Sequence, residues 1–121
     1  MKKLIFSFVF CFVAYLVNGQ QNLIVHNNTS YNLAVRGVYE TDSDKCDAGY
    51  GSITLSPGTG VIYGVYNTTG WTLVEAYVSG SSPAYDVRAY STCGAGCSLG
   101  TPVSNGLTAT WNGCDEVTID D

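Results

Sequence analysis

Residues 91–100, STCGAGCSLG, hold the side chains of this chain best suited to chemistry. Two cysteines stand in a C-x-x-x-C spacing, and Gly96-Cys97-Ser98-Leu99-Gly100 matches the G-x-S-x-G pattern of a serine nucleophile. That elbow needs a strand before the serine and a helix after it, on a large α/β scaffold. Here Pro102 follows closely on Ser98, no helical pattern succeeds it, and the one histidine, His26, lies in a segment that reads as a strand. Redox catalysis favours C-x-x-C at a helix N-terminus. A dinucleotide fingerprint needs a tighter last spacing than Gly94, Gly96 and Gly100 offer. The residues therefore read as a loop held by disulfides rather than as a reactive centre.

The other cysteines fit that reading. Outside the first 19 residues the chain has Cys46, Cys93, Cys97 and Cys114, with no C-x-x-C knuckle of the kind that gathers zinc. An even number in an exported chain implies two disulfides, and four cysteines allow three pairings. The preferred pairing is Cys46–Cys93 with Cys97–Cys114, which ties the long 91–106 loop to two different parts of the domain. Cys93–Cys97 with Cys46–Cys114 stands second.

A hard-cation site is the next candidate. Glu40, Asp42, Asp44 and Asp47 crowd the stretch YETDSDKCDAG, and Asp42 and Asp44 imitate the first ligands of a calcium loop. Cys46 then occupies the place of the third ligand, and no glutamate closes the set. The stretch reads first as a solvated acidic loop, with weak calcium binding as its alternative and no other cofactor expected.

Aromatic residues supply the remaining signal. Along Trp71 to Val78, strict alternation puts Trp71, Leu73, Glu75 and Tyr77 on one face and Thr72, Val74, Ala76 and Val78 on the other. If the second set is the core face, Trp71 and Tyr77 point outward with Glu75 between them. Flat rings beside a carboxylate suit a sugar, so Trp71, Tyr77 and Glu75 are the candidate ligand-binding residues. The alternative puts Trp71 and Leu73 in the core.

The elements that must position these groups are strands. Helical periodicity is absent, and short β-branched and tyrosine-rich runs recur at roughly ten-residue spacing between turn signals, the pattern of a sandwich or barrel. Ser56-Pro57-Gly58-Thr59 reads as a type II turn, and Asn112-Gly113 as a two-residue type I′ hairpin loop. The expected fold is all-β, a small antiparallel sandwich, Ig-like or jelly-roll-like, of about seven or eight strands. Its core should include Leu33, Val35, Val74, Val78, Val87, Leu107, Ala109 and Trp111. "LIVHNNTSYNLAV" with "LSPGTG" resembles the opening strands of thaumatin-like proteins. Those domains are longer and far richer in disulfides, and no family assignment follows.

The N-terminus sets the compartment. Lys2 and Lys3 precede an apolar run from Leu4 to Val17, and Val17-Asn18-Gly19 suits a signal-peptide cleavage site. Residues 1–19 are thus expected to be a cleaved leader, and residues 20–121 one secreted domain, extracellular or periplasmic, with no integral membrane anchor. With Lys2 and Lys3 in the leader, Arg36, Lys45 and Arg88 face all ten acidic residues, a formal charge of −7. Three scattered cations cannot displace the counterions of a nucleic acid, so no nucleic-acid partner is expected. Three sequons, at Asn27, Asn28 and Asn67, are glycan acceptors only in a secretory route that uses them. No nucleophile–base pair is evident, so the chain reads as a non-enzymatic binding or interaction module whose partner is a glycan or an extracellular protein. A structural, envelope-associated protein without a small ligand is the alternative.

Overall fold

The computed structural model describes residues 21–80 and 85–121; the leader assigned to residues 1–19 lies outside them. Among the described residues there are nine strands: β1 (Leu23–Asn27), β2 (Leu33–Glu40), β3 (Gly49–Leu55), β4 (Gly58–Ile62), β5 (Gly70–Val78), β6 (Asp86–Tyr90), β7 (Val103–Asn105), β8 (Thr108–Trp111) and β9 (Glu116–Asp120). The only other regular element described is a 3-10 turn at Thr92–Gly94. The strands form two sheets, a four-stranded one in the order β4-β1-β9-β8 and a five-stranded one in the order β3-β2-β5-β6-β7. The fold is all-β, as the turn-punctuated runs imply.

Among the nine described strands pairing is antiparallel except between β1 and β9, which run parallel in the middle of the four-stranded sheet, and an isolated parallel bridge joins Asp86 to Gly106. The chain passes between sheets at the corner joining β3 to β4, only Ser56 and Pro57 long, where Gly58 takes a φ of 128°. Proline fixes the approach and glycine supplies the positive φ that a turn this short demands.

The sheets bury their facing sides against each other. Leu33, Val35, Trp71, Val74, Ala76, Val78 and Val87 of the five-stranded sheet meet Leu23, Val25, Ile62, Val117 and Ile119 of the four-stranded one, with Leu107 between β7 and β8. Six of the eight expected core residues are buried, and Ala109 and Trp111 pack half-buried against them. Leu23, Val25, Val117 and Ile119, which alternation did not single out, lie on β1 and β9, whose five-residue length gives a periodic pattern little to repeat.

The expected Asn112-Gly113 hairpin exists but with a wider loop. Trp111 pairs with Val117, and the Asn112 N–H donates to the Glu116 carbonyl at 2.9 Å. A type I′ turn needs positive φ at both central residues. Only Gly113 has it here, at 77°. The reason is Cys114: its carbonyl accepts from the Trp71 N–H at 2.9 Å and its sulfur is bonded to Cys93, which draws the loop towards β5.

The disulfides are Cys46–Cys97 and Cys93–Cys114, with Cα atoms 5.5 Å and 5.8 Å apart. Both expected pairings are thereby corrected. Cys93 and Cys97 do reach partners outside their own loop, but in the third arrangement. The 3-10 turn lays Gly94 against the Thr72 carbonyl, where a Cβ would collide with backbone. Cys93 is then left beside Gly70 and Cys114, while Cys97 reaches the 41–48 loop, where its sulfur is bonded to that of Cys46.

Candidate functional site

β5 positions the candidate residues, and a bulge divides it. Val38 pairs with Leu73 and Tyr39 with Trp71, so Thr72 has no partner on β2. A bulge of one residue shifts the phase of the side chains beyond it. Trp71 therefore joins Val74, Ala76 and Val78 in the core instead of sharing the outer face with Glu75 and Tyr77, and it is fully buried. This corrects the outward placement of Trp71. Its indole meets Tyr39 edge-on at 5.6 Å, and its Nε1–H donates to the Gln21 carbonyl at 3.3 Å. Gly37 leaves room for it; a Cβ there would lie 2.8 Å from the ring.

Beyond the bulge β5 alternates as read from the sequence. Glu75 is half-buried on the outer face and Tyr77 is 54% exposed. Cross-strand pairing sets two rows on this face. Ser52, Arg36, Glu75 and Arg88 form one, and Thr54, Ala34, Tyr77 and Asp86 the other. The short Ala34 side chain leaves a shallow groove whose walls are Arg36, Ser52, Thr54, Glu75 and Tyr77. Arg88 Nη2 lies 3.6 Å from Glu75 Oε2, and the Arg36 guanidinium stacks 4.3 Å above the Tyr50 ring. The sequence reading missed Arg36 and Arg88, because strand pairing, not local sequence, brings them beside Glu75.

The groove ends where the disulfide-tied loops begin. Thr72 Oγ1 donates to the carbonyls of Val38 and Cys46, and the Tyr90 hydroxyl accepts from the Leu99 N–H and donates to the Gly100 carbonyl. The 41–48 and 91–102 loops so close over the outer side of Val38 and Leu73, which are buried, and leave the Arg36–Tyr77 half open.

Three of the four acidic-loop carboxylates, those of Glu40, Asp42 and Asp44, have other partners. Asp44 Oδ1 accepts from the N–H groups of Cys46 and Asp47, both at 3.0 Å. Asp42 pairs with Lys45 at 3.2 Å, and Glu40 Oε1 lies 3.4 Å from Thr69 Oγ1. Among the described residues no three Asp, Glu, His or Cys side chains come together as a metal-binding group.

On the four-stranded sheet, His26 joins three strands or their ends. Its Nδ1 lies 2.9 Å from Thr59 Oγ1 and its Nε2 lies 3.2 Å from Glu116 Oε2. Local sequence gives no sign of this threonine–histidine–glutamate chain, because Thr59 and Glu116 stand 33 and 90 residues from His26. Two carboxyls, one exposed (Asp44) and one half-buried (Glu116), are held below their ordinary range. For Asp44 the causes are the Asp47 and Cys46 N–H groups; for Glu116 they are the Asn112 amide and then His26. Lowered in the folded chain, each favours folding above the unfolded value, about 3.9 for Asp and 4.3 for Glu, and that contribution disappears as pH falls through the folded values. The melting temperature should therefore drop on acidification below about pH 4. The drop should be shallower in a Glu116→Gln variant, as thermal unfolding followed at stepped pH would show.

The sequons differ in accessibility. Asn27 is buried, with Nδ2 donating to the carbonyls of Tyr31 and Leu55, so this fold has no room for a glycan on it. Asn28 and Asn67 are exposed, and Asn28 Nδ2 donates to Asp120 Oδ1 at 2.6 Å. No protein-family model matches the chain, and no curated protein or solved structure matches it significantly.

Proposed function

We propose that this chain is a secreted, non-catalytic carbohydrate-binding module that takes its ligand on the outer face of the five-stranded sheet. The observation that carries this reading is the Tyr77 ring, half-exposed beside the Glu75 carboxylate, the Arg36 guanidinium and the Ser52 and Thr54 hydroxyls over a floor of Ala34. An aromatic face takes the C–H side of a sugar ring, while carboxylate and guanidinium fix its hydroxyls, the usual division between apolar contact and placed polar groups. The scaffold beneath is rigid, because both rows lie on paired strands. The two disulfides are compatible with an oxidising, extracellular location, and among the described residues no helix is long and apolar enough to cross a membrane.

A non-catalytic role is supported by where the reactive groups stand. Cys46, Cys93, Cys97 and Cys114 are all consumed in disulfides. His26 is hydrogen-bonded to Thr59 and Glu116 on the opposite sheet, away from the groove.

A glycan array tests the reading. Specific hits should weaken about tenfold in a Tyr77→Ala variant, a loss of about 1.4 kcal/mol, with melting unchanged because the ring is exposed. A second reading draws on the 63–66 loop, where Tyr63 is 74% and Tyr66 88% exposed with Val65 between them. A silent array together with concentration-dependent self-association would favour a structural or interaction protein built on that loop.

A further inference from the structure

We infer that the sugar held by this groove is an acidic one, whose carboxylate is captured by Arg36; the inference rests on the carbohydrate reading above. Among the described residues Arg36, Lys45 and Arg88 are the only lysines and arginines. Lys45 is paired with Asp42 at 3.2 Å and Arg88 with Glu75 at 3.6 Å. Arg36 alone makes no ion pair, although Glu75 stands opposite it in register. Glu75 reaches instead for Arg88 on the far strand, so the one carboxylate lining the groove is already neutralised.

In a domain of formal charge −7 the row Arg36–Glu75–Arg88 carries a net positive charge. Six of the ten acidic residues, Glu40, Asp42, Asp44, Asp47, Asp115 and Glu116, lie instead on or beside the loops at the disulfide end of the sandwich. Glu75 is in the groove itself. Asp86 stands beside Tyr77 on the same face, where it accepts from the Asn105 amide, and Asp120 and Asp121 lie towards the end of the sandwich opposite the disulfides.

Arg36 is also prepared for a flat anion. Its guanidinium carbon lies 4.3 Å from the centre of the Tyr50 ring, a cation–π contact that leaves it without an ion-pair partner among the described residues. A planar fork of N–H donors matches a carboxylate in a two-point contact, whereas an ammonium offers only a point charge. Tyr77 is the diagonal cross-strand neighbour of Arg36 on the same face, roughly 7–8 Å away between backbones, and Arg36, which rests over Tyr50 on the β3 side, must swing its guanidinium towards β5 to meet the carboxylate of a sugar stacked on Tyr77. A uronate can therefore lay its ring on Tyr77, put its carboxylate on Arg36, and offer hydroxyls to Glu75, Ser52 and Thr54.

The test is calorimetric titration of the secreted chain with three probes: a galacturonate trisaccharide, its methyl ester, and a sulfated neutral trisaccharide. The acid should bind at least tenfold more tightly than the ester at low salt, and the difference should shrink in 0.5 M sodium chloride. In an Arg36→Gln variant with unchanged melting, acid and ester should bind alike. Equal binding of acid and ester to the parent chain would overturn the acidic-sugar inference and leave the carbohydrate reading standing. Equal binding of the sulfated probe would reduce it to general anion attraction and also overturn it. Binding of none of the three, with no hits on a broad glycan array, would overturn both.

Discussion

Replacing Trp71 with alanine is expected to destabilise the domain by about 3–5 kcal/mol, the range for emptying a buried tryptophan site. Domains of this kind are stable by only about 5–15 kcal/mol in total, so the variant should be largely unfolded at a modest denaturant concentration. The indole is fully buried and fixed on several sides. Tyr39 abuts its edge, the Gln21 carbonyl accepts its N–H, and the Gly37 backbone lies against its ring. No neighbour is placed to refill that volume. Chemical denaturation followed by circular dichroism gives the loss directly, and a Tyr77→Ala variant should stay within about 0.5 kcal/mol of the parent. A mild loss at Trp71 with a large one at Tyr77 would mean that the two rings had been assigned to the wrong sides of β5.

The second large effect belongs to the disulfides. Cys46–Cys97 closes 51 residues and Cys93–Cys114 closes 21. On the chain-entropy model these correspond to about 4 and 3 kcal/mol respectively. Changing Cys46 and Cys97 together to serine should cost the larger amount, and it also frees the loops that cover Leu73 and Val38. The two closed segments overlap between residues 93 and 97, so either bridge shortens the loop the other closes, and removing both should cost at least the sum of the separate losses. Denaturant midpoints of the two double variants give the order. Non-reducing peptide mapping of the parent chain should recover Cys46 with Cys97 and Cys93 with Cys114.

Much of this architecture was legible in the residues. β2 and the second half of β5 alternate cleanly, so Leu33, Val35, Val74 and Val78 were placed in the core and Glu75 and Tyr77 outside it. Pro57-Gly58 marked a turn, but not that β3 and β4 on either side of it belong to different sheets. What escaped was set by contacts distant in sequence. A single unpaired residue, Thr72, reverses the face of Trp71, and nothing in the local alternation announces a bulge whose cause lies in pairing with β2. The disulfide partners are chosen by the docking of the 3-10 turn on β5, a tertiary event with no local signature. Arg36 and Arg88 are separated by 51 other residues and meet Glu75 only because β2 and β6 flank β5. Spacing revealed the carboxylate and the tyrosine of the groove, and strand order supplied its cations.

The most direct measurement is a map of amide chemical shifts on the isotope-labelled chain during titration with the strongest hit from a glycan array. A ligand seated over Ala34 should move the amides of Arg36, Ser52, Thr54, Glu75 and Tyr77 together, with one dissociation constant, and leave those of Val65 and Tyr66 in place. Shifts confined to the 63–66 loop or to the His26 face, with the outer face of the five-stranded sheet unmoved, would contradict a binding site there.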